Sequence, residues 1–176
     1  MIVIRNNQRK VKIDRDKLKR DAQTILSILE YSDYDLGILL THPKKIHELN
    51  KLYRNKDKPT DILSFSYYPD LKPGQRIKPK SPEDKNLGDL VICPEYVLED
   101  LPKWNMTFDE RLEVLLVHGI CHLLGYDHIK DSDYKIMHKK EQFLLKKLRL
   151  THQSSCLPGV ALAKSGVKRV SAKSKD

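Results

Sequence analysis

Three cysteines, Cys93, Cys121 and Cys156, are too few and too widely spaced for a disulfide framework. The odd count points to free thiols in a reducing compartment. No apolar run approaches the ~20 residues that a membrane-crossing helix needs. The start, Met1-Ile-Val-Ile-Arg, has too short an apolar stretch for a secretory signal, and no Arg/Ser-rich presequence is visible. A membrane protein and a secreted protein are therefore not expected. A cytoplasmic one is, with an organellar matrix as the variant. Disorder throughout is also disfavoured. Hydrophobic residues make up 39% of the 176 and charged residues 32%, which suits one domain with one buried core.

The chain carries a formal charge of +9. Such an excess favours polyanionic partners, nucleic acid above all. Its distribution softens the argument. Residues 151–176 hold five basic side chains and one acidic, so +4 resides there and +5 in the rest. The same excess suits a soluble, lysine-rich surface. The expected organisation is one domain over 1–150 and a basic, largely disordered tail over 151–176.

Periodicity gives the elements. Ile2-Val-Ile reads as a strand. Leu18, Ala22, Ile25 and Leu29 line one face of a helix over 14–30, with Asp14 as its N-cap. Residues 35–41 read as a buried strand. Pro43 opens a helix through about Tyr53, and Lys58-Pro59 breaks the chain. Strands follow at 61–67 and 87–93, the second stopped by Pro94. Between them, 69–86 is a loop holding four of the nine prolines, long enough to be functional or mobile. Thr107 and Glu110 form a capping box for a helix apolar over 112–124 except at Glu113, His118, Gly119 and His122. Gly125 ends it. A last helix runs from about Asp131 to Leu150, with Ile136, Met137, Phe143, Leu144 and Leu148 expected inward.

Three of the seven histidines, His118, His122 and His128, fall within eleven residues. His118 and His122 are four apart and share a helix face. The break at Gly125 lets His128 swing back toward them. Three neutral imidazoles with an open fourth position suit a catalytic metal. Packing alone explains them poorly, because buried polar rings need partners. The spacing matches the zinc-protease pattern H-E-x-x-H-x-x-G-x-x-H at every ligand and at the glycine. The glutamate that serves those enzymes as general base is replaced by Gly119, which weakens a peptidase reading. No clear general base emerges.

The match extends further. His118-Gly119-x-x-His122-Leu-x-Gly125-Tyr126-Asp127-His128 resembles the signature of the YbeY family of rRNA maturation factors, which are single-strand-specific, metal-dependent endoribonucleases. Leu49-Asn50-x-x-Tyr53-Arg54-x-x-Asp57-Lys58-Pro59-Thr60-Asp61-Ile62-Leu63-Ser64-Phe65-Ser66 is similar to that family's second block, and Leu87-Gly88-Asp89-Leu90-Val91-Ile92 to its third. The resemblance implies an α+β, zincin-like fold: a single domain with a mixed four-stranded sheet packed with helices. It implies metal ligation, usually of zinc, by His118, His122 and His128, with His118 and Arg54 as catalytic candidates and Arg54 as substrate contact. It further implies action on single-stranded RNA in maturing the 3′ end of small-subunit rRNA and in ribosome quality control. The partners implied are the small ribosomal subunit, one of its proteins and an Era-type GTPase.

Family members often carry leucine where Cys121 stands and proline where Ser66 stands. Cys121 reads as a small core residue rather than a fourth ligand, about 100° round the helix from His122. The three imidazoles also suit nickel, copper or iron. Arg54 fits a phosphate, or a surface ion pair to Asp57 or Glu48. Asp127 either orients a ligand histidine or caps the turn. Tyr67, Tyr68, Tyr96 and Trp104 either stack unpaired bases or pack locally. His42, His47, His138 and His152 read as ordinary surface residues. The alternatives are a zincin-type metallopeptidase and a non-catalytic assembly factor with a structural metal.

Overall fold

The computed structural model describes residues 1–155. Along the chain come β1 (Ile2–Asn6), α1 (Arg15–Ile28), β2 (Asp35–Leu40), α2 (Pro43–Arg54), β3 (Ile62–Ser66), β4 (Asn86–Ile92), α3 (Pro94–Asp100), α4 (Phe108–Leu123) and α5 (Asp131–Ser155). The strands form one mixed sheet in the order β1-β2-β4-β3. The pairs β1·β2 and β2·β4 are parallel. Strand β3 lies antiparallel on the edge, with Ile62 opposite Ile92 and Ser66 opposite Gly88. The α+β expectation with a four-stranded mixed sheet holds.

Period-two alternation separates the two sheet faces. Leu36, Ile38, Leu40, Ile62, Leu90 and Ile92 enter the main core with Leu18, Ala22, Ile25 and Leu26 of α1 and the apolar residues of α4. Leu63 and Val91 point the other way, toward Ile46 of α2. Helix α4 can lie close to the sheet because Gly119 has no side chain. A Cβ there would come within 2.7 Å of Leu90 Cδ2 and 2.8 Å of Ile62 Cδ1. Asp14 caps α1 through the Lys17 amide, and the Thr107–Glu110 capping box closes as its sequence suggests.

One expectation is incomplete and three need correction. Pro94 does not merely stop β4. It occupies the first turn of α3, where its missing N–H costs nothing, and Val97 is buried one turn on. Ile136 and Phe143 are half exposed; the inward stripe of α5 is Met137, Leu144, Leu145 and Leu148. One residue is 100° of helix, so neighbours of inward positions rotate to the flank. Phe143 instead lies beneath Lys140 and Lys147. Helix α5 also continues past Leu150 to Ser155. Finally, His152 is not an ordinary surface residue. Its Nε2 lies 2.7 Å from Asp21 Oδ1, within an ionic cluster where Lys17 bridges Asp21 and Glu113. That cluster ties α1, α4 and α5 together. A cut at Leu150 would remove one of its members. The remainder of the expected tail, 156–176, lies outside the described residues.

Candidate metal centre and RNA-cleavage site

Helix α4 aims His118 and His122 from one face, beside edge strand β3. The chain then turns at Gly125, whose φ of +79° is the left-handed conformation that glycine takes without strain. The turn is tight against the long loop: a Cβ on Gly125 would stand 2.0 Å from the Leu71 carbonyl oxygen. Three residues later His128 faces the other two rings. Ring centroids are separated by 4.5 Å for His118–His122, 5.3 Å for His118–His128 and 5.0 Å for His122–His128. One ligand atom from each lies within 4.8 Å of the others.

Hydrogen bonds fix two of the tautomers. His122 Nδ1 lies 3.0 Å from the Tyr126 carbonyl, which can only accept, so this nitrogen donates. His118 Nδ1 donates to Glu141 at 2.7 Å. The Nε2 atoms of His118 and His122 then face one another as lone pairs, 3.1 Å apart. Two lone pairs at that separation repel unless a proton or a metal ion lies between them. Metal–nitrogen bonds of about 2.05 Å in a tetrahedron put ligand atoms roughly 3.3 Å apart, so the set fits one metal ion. Glu141 was not apparent from the motif; it comes from α5. The available signal was a carboxylate four residues after buried Met137, on the apolar stripe of that helix. A carboxylate behind a ligating imidazole orients the ring and raises its basicity.

Burial, reinforced by repulsion from His118 and His128, pushes His122 down to about 4. Its lone pair is therefore free for a metal at neutral pH. An unfolded histidine titrates near 6.5, so between about pH 6.5 and 4 the unfolded chain binds a proton that the folded chain refuses. Stability of the metal-free protein should fall as pH drops through this window. Denaturant midpoints at pH 7 and 4.5 check it, with His122→Gln expected to flatten the fall; an unchanged slope in that variant would contradict the assignment.

Arg54, at the end of α2, lines the same cleft of about 530 Å³ as the three histidines. Neither ion pair weighed for it forms. Asp57 is held by His47 and Lys51, and Glu48 by Lys45. The guanidinium is exposed at the cleft. The long loop supplies the facing wall, including Leu71 and Lys72. Asp127 caps the turn by accepting from the His128 amide at 2.7 Å. Cys121 is buried, its thiol pushed up to about 12 by desolvation, and it stands outside the histidine group. Ser66 has a task of its own. Its hydroxyl donates to the Leu123 carbonyl at 2.9 Å, satisfying a free carbonyl in the last turn of α4 beside His122. Of the four aromatics, Tyr67 and Tyr68 pair edge to face, and Trp104 lies over Arg111.

Residues 3–149 match the family model described as Endoribonuclease YbeY. This chain belongs to that family. Its members are endoribonucleases, hydrolases acting on RNA. A human relative of that name is 37% identical over 147 residues, which is 84% of this chain and 87% of the relative. The Clostridioides difficile (strain 630) relative is 32% identical, covering 86% of this chain and 99% of its own. Among solved structures, the solution structure of a Thermotoga maritima protein superposes with a TM-score of 0.58 at 28% identity, covering 89% of this chain and 94% of that one. No helix among the described residues is long and apolar enough to cross a membrane.

Proposed function

We propose that this chain is a single-strand-specific, metal-dependent endoribonuclease that matures the 3′ end of small-subunit rRNA and serves ribosome quality control in the cytoplasm. Family membership supports RNA hydrolysis. The observation that carries the metal dependence is the pair of facing Nε2 lone pairs at 3.1 Å, with His128 closing the set. His118, His122 and His128 would hold the ion, zinc by the chemistry of three imidazoles at an exposed cleft. When bound, it would supply Lewis acidity toward a phosphoryl oxygen or a bound water.

The chain's own groups do the rest. Arg54 is exposed in the histidine cleft and has no carboxylate partner among the described residues, so its planar fork is available to a phosphate oxygen pair. Lys72 adds positive charge on the facing wall. Glu141 and the Tyr126 carbonyl keep the His118 and His122 rings in the Nδ1–H form. The small ribosomal subunit, one of its proteins and an Era-type GTPase are the proposed partners. The peptidase reading lacks its base, since the position after His118 is Gly119, pressed against the sheet.

The test is digestion of single-stranded and duplex RNA, and of casein, by metal-loaded protein, with chelator controls. Cleavage of single-stranded RNA alone supports the proposal; casein hydrolysis with intact RNA overturns it. Arg54→Ala should lower kcat/KM on RNA by roughly 10²-fold, the order seen when one transition-state donor is removed. Its metal content should stay unchanged. Arg54→Lys should recover only part, because a point charge lacks the bidentate fork.

A further inference from the structure

His118 and His128 line not one cavity but two. Besides the cleft that holds Arg54, they line a crevice of about 460 Å³ between α4 and α5, which Arg54 does not line. We propose that this crevice is a nucleobase subsite: it takes the base of the nucleotide adjoining the scissile phosphate of a single-stranded RNA. The inference rests on the nuclease reading above and deepens it.

Four features point to a flat, uncharged ring. The size falls within the range of small-ligand pockets. Its interior is apolar, from Val114 and Leu115 of α4 and Met137 and Leu145 of α5. Its rim is aromatic: Tyr134 is 53% exposed and stacks on His138 with centroids 5.5 Å apart and planes 9° apart. Such a surface extends by one more ring at little ordering cost.

The fourth feature separates a base from a second phosphate. The cation in the crevice, Arg111, is already neutralised. Its guanidinium donates to Asp61 Oδ2 at 2.9 Å and lies 3.8 Å from the centre of the Trp104 ring. No further anion is invited there. The Gln142 carboxamide, by contrast, has no hydrogen-bond partner among the described residues and lines the crevice. It offers a donor and an acceptor to the polar edge of a base. Arg54 lines the one cavity and not the other, though both share His118 and His128, so one is suited to phosphate and the other to a base. This division fits unstacked RNA, whose bases are splayed out and read singly.

The experiment uses a mixed-sequence single-stranded RNA. Cut positions are mapped, and the base on each side of the strongest cut is then replaced by an abasic ribose. For the wild-type protein, one abasic replacement should raise KM roughly tenfold, as loss of a stacked base does. Tyr134→Ala should show the same loss on intact RNA and no further loss on the abasic strand, while Tyr134→Phe restores the wild-type value. Gln142→Ala should change the base preference at that position. None of these variants should alter metal content. Losses that add independently, or variants that keep the wild-type KM and cut pattern, overturn the subsite while leaving the nuclease reading in place. A wild-type protein that cuts no RNA overturns both.

Discussion

His118→Ala should lower kcat/KM on single-stranded RNA by at least about 10³-fold and strip the metal from the protein. The magnitude follows from several kcal/mol of charge stabilisation by a bound metal, at about 1.4 kcal/mol per decade of rate. The residue stands where the site's features meet. Its Nε2 is 3.1 Å from that of His122, its Nδ1 donates to Glu141, and its ring borders both cavities. Alanine leaves two imidazoles and a carboxylate, 17% exposed, whose remaining neighbour is His138 Nδ1 at 3.8 Å. Metal analysis, melting and RNA digestion separate the consequences. Chelation of the wild-type protein should reproduce the loss, and added zinc should rescue the wild type but not the variant. Glu141→Gln should act more mildly, costing roughly 10- to 100-fold in metal affinity, as loss of a partner behind a ligand does. A metal-free His118→Ala protein that still cleaves RNA at the wild-type rate would refute the assignment.

The residues of the site differ in how legible they are from the chain alone. His118, His122, Gly125 and His128 lie within one local run, so helical spacing and one turn dictate how they meet. The same holds for the Thr107–Glu110 box and for the apolar face of α1. Glu141 and Ser66 are another matter. Each reaches α4 across a large sequence separation, 23 residues from His118 and 57 from Leu123. Only the packing of α5 and β3 against α4 brings them there. His152 shows the same effect over 131 residues, pairing with Asp21 after a stretch whose composition alone reads as the start of a tail. Pro94 stops β4 as expected, but the helix it also opens is hidden for a local reason. Proline ends a strand and opens a helix with equal ease, and only the burial of Val97 reveals the second role.

Gly119→Glu restores the protease-like motif in sequence, yet it should yield a destabilised protein without peptidase activity. The expected loss is about 3 kcal/mol, the scale of overpacking a core and burying an unpaired carboxylate, or roughly 6–12 °C in melting temperature for a domain of this size. Gly119 is buried, and its missing Cβ points at the ends of Leu90 and Ile62, both core residues of the sheet. Gly119→Ala isolates the steric part. Its methyl meets only side-chain tips, which can give way, and the helix gains about 1 kcal/mol of propensity over glycine, so this variant should stay within about 1 kcal/mol of wild type. The contrast between the two carries the chemistry. Were Gly119→Glu to melt like wild type and hydrolyse casein, the glycine would be a dispensable vacancy in a peptidase frame. A large loss for glutamate beside a small one for alanine means that the close approach of α4 to β3 and β4, which sets the histidines at the sheet edge, leaves no room for the protease's base.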